Sequence, residues 1–168
     1  LPCRMVDRRP VVVAVVGPTA SGKSALGLSL AERYGGEVIS CDSTASYRGF
    51  DIGTDKPSLD ARHDIAHHLI DVADPREVYT AAHFARDAAG IIRDIHRRGR
   101  VPVMVGGTGL YYRALTRGLF PGPGADEHLR RRLNRVADGR GLERLHRMLR
   151  RADPQSADRI MPRDLKRI

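Results

Sequence analysis

A chain of 168 residues, 41% hydrophobic and 29% charged, is long enough for one domain with a real core plus a small appendage. No apolar run approaches the roughly 18–20 residues that span a bilayer, the start LPCRMVDRRP has no apolar signal core, and two cysteines, Cys3 and Cys41, are too few for a disulfide framework, so secreted, membrane and disulfide-stapled classes are set aside and a reduced, cytoplasmic setting is expected. The net charge of +9 favours a polyanionic partner, nucleic acid first, or reflects no more than arginine written wherever a surface charge is wanted.

Residues 1–10 read as an N-terminal extension. Val11 to Val16 is a continuous apolar run ending in Gly17, the pattern of a buried parallel strand. Ser24 to Tyr34 carries Leu26, Leu28, Leu30 and Ala31, a helix with a buried face, and Glu37 to Ser40 is a second short strand. Asp42 to Pro57 reads as loop, punctuated by Gly49, Gly53 and Pro57. Thr80 is placed as an N-cap, with a helix to about Arg98 that buries Phe84, Ala88, Ile91, Ile92 and Ile95 and stops at Gly99. Val101 to Val105 is a third buried strand. Strand, helix, strand, helix, strand is the rhythm of a parallel sheet with crossover helices, and 11–120 is read as that α/β core. FPGPGADE then reads as a linker into a helical lobe, 121–162. Its helices are expected near Asp126–Ala137, burying Leu129, Leu133 and Val136, and near Leu142–Arg151. The second puts Leu142, Leu145 and Leu149 on one side and Arg140, Arg144, Arg147 and Arg151 on the other. Nine arginines between 129 and 151 face only Asp138 and Glu143, which favours contact with phosphate backbone over a merely solvated face.

Gly17-Pro18-Thr19-Ala20-Ser21-Gly22-Lys23-Ser24 matches G-x-x-x-x-G-K-[ST]. Glycines let backbone N–H groups curl around phosphate oxygens, the helix start adds its dipole, Lys23 supplies a point charge and Ser24 a magnesium ligand. A strand before and a helix after give the motif its context, so the fold class is α/β, P-loop NTPase-like. After Val105 comes Gly106-Gly107-Thr108-Gly109, a small turn suited to close approach of a ligand and lacking the strand-end Asp of a P-loop ATPase. The acid at a strand end is Asp42, read as a general base, a magnesium ligand or the cap of the next turn. His63, His67 and His68 cluster, with His63 and His67 at i, i+4 spacing, but a metal site would want a third ligand and a fixed helix, and a structural or hydrogen-bonding role is expected. Of Tyr111 and Tyr112, one is expected in the core and one could stack on a base.

These pieces, in this order, resemble a known family, the tRNA dimethylallyltransferases, also called tRNA isopentenyltransferases. The resemblance rests on GPTASGKS at 17–24, EVISCDS at 37–43, YRGFDIGTDKP at 47–57, HHLIDVADP at 67–75, GRVPVMVGGTGLY at 99–111 and DPQSADRI at 153–160. It implies transfer of a dimethylallyl group from dimethylallyl diphosphate to the exocyclic amine of the adenine 3′ to the anticodon, with Mg²⁺ on the diphosphate and the base flipped from its stack. Residue by residue it implies Asp42 as general base, and Lys23, Ser24 and the 17–22 backbone around the leaving diphosphate. Thr108 is implied at the diphosphate and reaction centre, Asp42, Ser43, Thr44 and Ala45 against the target base, and Arg130 on tRNA.

The family often reads DSMQVY where this chain has Asp42-Ser43-Thr44-Ala45-Ser46-Tyr47, so base reading falls to backbone groups, Ser43 or Thr44. Asp55 stands where the family usually has Ala. At 163–168 the family begins a return to the core, with an R-A-L-E helix and a further stretch, so the sequence is read as an N-terminal piece, a monomer with tRNA and the isoprenoid donor as partners. The phosphate loop taken alone also fits a small-molecule kinase. Prenylation of free AMP and a catalytically inactive RNA-binding domain remain open at this point.

Overall fold

Parallel pairing organises the first part of the chain. The computed structural model describes residues 11–168 apart from 55, 59, 63, 120, 121 and 123–125, so the expected N-terminal extension, Cys3, Asp55, His63 and most of the expected linker lie outside the described residues. Two compact units divide between Leu119 and Phe120. The first holds strands β1 (Val13–Val16), β2 (Gly36–Ser40), β3 (His67–His68) and β4 (Val101–Gly106), with helices α1 (Lys23–Tyr34), α2 (Ala81–Arg97) and α3 (Gly109–Arg117). The sheet runs β1-β4-β2-β3 and every neighbouring pair is parallel. Val16 pairs with Gly106 and Ser40 with Val105. The three strands therefore end level, and the loops after β1, β2 and β4 leave from one edge of the sheet, where ligands of such sheets bind.

Alternation along the central strands feeds two cores. Val38, Val103 and Val105 face one side with Ala31 of α1. Ile39 and Met104 face the other, where Phe84, Ala88, Ile92 and Ile95 of α2 meet Tyr111 and Ala114 of α3. Phe84 and Ile95 are fully buried, each stabilising the fold by about 1.5–3 kcal/mol. Thr80 caps α2 as its spacing implies. Its hydroxyl accepts from the His83 N–H while the His83 ring answers the Thr80 N–H.

Several sequence expectations change. β1 is not buried: Val13 and Val16 are 37% and 50% exposed, because β1 pairs only with β4 and ends the described sheet. Leu26 is 54% exposed. Small residues, Gly27 and Ala31, face the sheet from α1 instead. A Cβ on Gly27 would sit 2.3 Å from the Val105 side chain, so the helix lies closer to β4 than leucines permit. Two elements, β3 and α3, have no signature in the sequence pattern, one being two residues long and the other starting inside a glycine turn. The glycine after Val105 serves the chain rather than a ligand: a Cβ on Gly106 would fall 2.2 Å from the Cys41 carbonyl oxygen.

Glu37 stands at the start of β2, 3% exposed. Its carboxylate receives His68 Nε2 at 2.7 Å and Arg98 Nη2 at 2.7 Å, with Arg100 Nη1 at 3.6 Å. Burial pushes its pKa up, but the bonds and charges of His68 and Arg98 outweigh that and hold it below the ordinary value. Glu37→Gln is expected to cost about 2–3 kcal/mol at neutral pH. A lowered folded pKa gives stability that is complete above the unfolded pKa and fades as pH falls through the folded one. Denaturant midpoints of wild type and variant should therefore converge in acid; a gap that persists there would show that shape, not charge, is what Glu37 contributes.

The second unit holds α4 (Glu127–Arg140), α5 (Leu142–Ala152) and α6 (Pro154–Arg159). Asp126 caps α4 by accepting from the His128 and Leu129 N–H groups, and Asp153 caps α6. Ala137, Leu145, His146 and Ala157 are buried. The imidazole Nε2 of His146 lies 3.1 Å from the Ala157 carbonyl and 2.9 Å from that of Ile160, tying α5 to the end of α6. Leu129, expected inside, is 51% exposed. The expected arginine stripe also breaks: Gly141 separates the two helices, so Arg140 ends α4, and Arg144 is half-buried on α5 while Arg147 and Arg151 are exposed. Residues 163–168 fall within this unit.

Candidate active site

Three loops at the strand ends build the site. After β1, residues 17–22 turn with Ala20 and Gly22 in the left-handed region, at φ 62° and 77°. Gly22 is the N-cap of α1 and no side chain caps that helix. Among the described residues its first N–H groups are thus free of side-chain partners, the arrangement that receives an anion. Lys23 bends back over the loop and donates to the Pro18 carbonyl at 2.9 Å, which holds the ammonium at the cradle it would neutralise.

After β2 comes Asp42. Its Oδ1 accepts from the Thr44 N–H at 2.8 Å, the Thr44 hydroxyl at 2.7 Å and the Ala45 N–H at 3.2 Å. That is the turn-capping use of an Asp, and it occupies one oxygen only. Among the described residues Oδ2 accepts no hydrogen bond and is left for chemistry. Burial pushes the carboxyl up, but the bonds from Thr44 and Ala45 and the charge of Lys23 hold it below the ordinary carboxylate range, so it is ionised at neutral pH. The neighbouring Cys41 thiol is pushed up to about 12, chiefly by burial and then by Asp42, and is inert as a nucleophile.

After β4, Thr108 bridges two loops. Its Oγ1 accepts from the Ser43 N–H at 3.0 Å and lies 3.4 Å from the Ser43 hydroxyl oxygen, while its own N–H donates to the Cys41 carbonyl at 3.1 Å. The Thr108 hydroxyl thus orients Ser43. Tyr111 is the core tyrosine of its pair, 4% exposed and stacked on Phe84 at 4.5 Å; Tyr112 is half-buried.

These loops open on a cavity of about 730 Å³. Thr19, Lys23 and Ser24 line it together with Asp42, Thr44 and Ala45. Leu28, Val38, Ile70 and Val105 supply apolar wall. Gly53, Thr54, Lys56 and Pro57, a stretch whose spacing alone points to no role, line it too; the one signal they carry in sequence is a cation set between glycine and proline. Ser43 and Thr108 are not among its described lining residues. His67 is, with its Nδ1 2.9 Å from the Ile65 carbonyl and its pKa lowered chiefly by burial, so it presents a neutral ring. Among the described residues no three His, Cys, Asp or Glu side chains gather as a metal site. What the cavity offers is hard oxygen, the Ser24 hydroxyl and the Asp42 carboxylate. That donor set fits a magnesium ion arriving on a diphosphate and keeping several waters.

The family model described as IPP transferase matches residues 45–168. The chain belongs to the IPP transferase family. A tRNA dimethylallyltransferase of Halorhodospira halophila is 55% identical over 157 residues, covering 94% of this chain and 51% of that protein. One from Geobacter metallireducens is 54% identical over 162 residues, covering 96% and 52%. Among solved structures, the full-length tRNA isopentenylpyrophosphate transferase of Bacillus halodurans superposes with a TM-score of 0.66 at 43% identity, over 95% of this chain and 53% of that one. A eukaryotic dimethylallyltransferase caught acting on tRNA gives 0.75 at 33% identity, over 93% and 39%. The chain therefore spans about half the length of the curated relatives it matches, and its P-loop NTPase-like α/β fold is theirs.

Proposed function

We propose that the enzyme carrying this chain transfers a dimethylallyl group from dimethylallyl diphosphate to the exocyclic amine of the adenine 3′ to the anticodon in tRNA. The observation that carries this reading is that Lys23 and Asp42, the latter with Oδ2 unbonded, line one cavity. The amine nitrogen forms a bond to the first carbon of the donor while the carbon–oxygen bond breaks and its electron pair leaves on the diphosphate. Negative charge grows on that diphosphate, where Lys23 and the open N–H groups of α1 stabilise it. The proton shed by the nitrogen goes to Asp42 Oδ2. Ser24 would hold the magnesium ion carried by the diphosphate, and that ion would supply further positive charge to the leaving group.

Base reading depends on what the Asp42 turn has left. The Thr44 and Ala45 N–H groups are spent on Asp42, and the Ser43 N–H on Thr108. Among the described residues of this turn, the Ser43 hydroxyl, which accepts from Thr108 and lies outside the cavity lining, keeps its own proton for an adenine acceptor. Thr108 acts through Ser43 in this reading.

Arg130, exposed in the first turn of α4, is proposed to contact tRNA phosphate. Arg130→Ala should weaken tRNA binding a few-fold and lower the slope of log affinity against log salt by about one, read by filter binding. An unchanged slope would remove Arg130 from the contact. A monomer in the cytoplasm fits a cavity built within one unit of one chain and a tRNA substrate.

Incubation of labelled dimethylallyl diphosphate with unmodified tRNA tests the reaction. Label in tRNA, matched by free diphosphate, is expected. ATP turnover without label transfer would make the enzyme a kinase, and label transferred to AMP but not to tRNA would make it a nucleotide prenyltransferase.

A further inference from the structure

Lys56 lines the cavity and its side chain is only 4% exposed. A lysine beside a phosphate site invites assignment as a second diphosphate contact. Its bonds argue otherwise. An ammonium has three donors, and here Nζ gives 2.9 Å to the Tyr47 carbonyl, 2.8 Å to Asp51 Oδ1 and 2.7 Å to Asp71 Oδ1. Burial pulls the ammonium pKa down, but the two carboxylates more than restore it. The charge is permanent and already matched.

What Lys56 joins is informative. Tyr47 closes the turn that begins at Asp42, through Tyr47 N–H to the Thr44 carbonyl at 3.2 Å. Asp71 holds the same turn from the other strand of chain: its N–H donates to the Ala45 carbonyl at 3.1 Å, and Val72 and Ala73 both donate to the Ser46 carbonyl. Ala45 in turn donates to Asp42 Oδ1. Two hydrogen-bonded residues thus separate the Lys56 ammonium from the Asp42 carboxylate. Leu69 and Asp71 sit at φ 61° and 58°, a left-handed conformation that non-glycine residues keep only where surrounding bonds over-determine it.

We propose that Lys56 is a positioning residue, clamping Tyr47, Asp51 and Asp71 so that the Asp42 turn presents Oδ2 to the cavity. The proposal rests on the reading of Asp42 as the base. It gives the DIGT-x-KP stretch a function: its lysine serves the neighbouring turn, not the ligand.

The test uses the enzyme that carries this chain and a double-mutant cycle. Lys56→Met should lower kcat for transfer about 10- to 100-fold, the effect of misplacing a reacting group by about an ångström, with the KM for dimethylallyl diphosphate within about twofold. In an Asp42→Asn background the same substitution should cost nothing further, because there is no base left to misplace. Asp71→Asn keeps the backbone N–H bond to Ala45 and removes the charge of one clamp arm. It should give a smaller kcat loss with the same non-additivity, and it carries the test if Lys56→Met does not fold. Equal losses in both backgrounds would reduce Lys56 to general structure. A rise in donor KM with kcat kept would make it a diphosphate contact. Either result overturns the proposal. Near-normal transfer by Asp42→Asn would instead overturn the base reading, and the proposal with it; an inactive Asp42→Asn beside a normal Lys56→Met would overturn the proposal alone.

Discussion

In the enzyme carrying this chain, Asp42→Asn is expected to lower the proposed transfer rate by about a thousandfold while leaving the fold in place. The size reflects what a positioned base contributes, about 10²- to 10⁴-fold, at a site with no other carboxylate among its described lining. The choice of Asn separates two roles that Asp42 combines. An amide oxygen can accept the same bonds from Thr44 N–H, Thr44 Oγ1–H and Ala45 N–H that Oδ1 accepts now. The turn is kept, and only the unbonded Oδ2 is exchanged for a group that cannot take a proton. Asp42→Ala loses both and should also be less stable by about 1 kcal/mol.

The low pKa of Asp42 is no obstacle to basicity. In the proposed transfer an adenine amine would become acidic only as its nitrogen bonds to carbon and acquires positive charge, so a weak base would suffice at that moment. Since the folded pKa lies below the ordinary carboxylate range, the carboxylate proposed as the base is ionised at neutral pH. The acid limb of the rate profile should lie below about pH 4, the ordinary Asp value. A limb near neutrality assigned to this residue would mean that the Thr44 and Ala45 bonds are absent in the working enzyme. Single-turnover transfer across pH reads both the loss and the limb.

Lys23→Met is expected to reduce kcat/KM for the donor by about 10²- to 10³-fold, the cost of removing one preorganised donor from the place where charge develops. The loss should appear in both terms, since in the proposed reaction the ammonium would meet the diphosphate in the ground state and more strongly as the bond breaks. Lys23→Arg should not rescue. The loop offers the Pro18 carbonyl at 2.9 Å to a compact ammonium, and a planar guanidinium does not fit that point contact. Donor affinity by equilibrium dialysis, set beside single-turnover rate, separates the two terms. A Lys23→Met enzyme with normal kcat/KM would move the diphosphate away from this loop.

How much of this molecule is legible in its sequence depends on how local the causes are. The phosphate loop is nearly self-contained: glycines, lysine and serine at fixed spacing between an apolar run and a helix determine it. The α2 helix is legible from Thr80 to Gly99 because its cap and its apolar period coincide. Parallel architecture emerges from the strand–helix rhythm. Burial across the sheet is less legible, because Leu26 competes with Gly27 and Ala31 for the sheet-facing side of α1, and only the approach of Val105 decides between them. The division of labour within Asp42 is hidden as well. Its residue type favours a base but also permits ligand and cap, and which oxygen is left open depends on two N–H groups downstream. Lys56 is the hardest to place, since its partners Asp51 and Asp71 lie five and fifteen residues away along the chain and only the folded loops bring them to one ammonium.

Nucleoside composition of tRNA from cells lacking the gene tests the proposed transfer most directly. The dimethylallyl-modified adenosine next to the anticodon should disappear, return with the wild-type gene, and not return with one encoding Asp42→Asn. Full modification in the deleted strain, or full restoration by the Asp42→Asn gene, would contradict it.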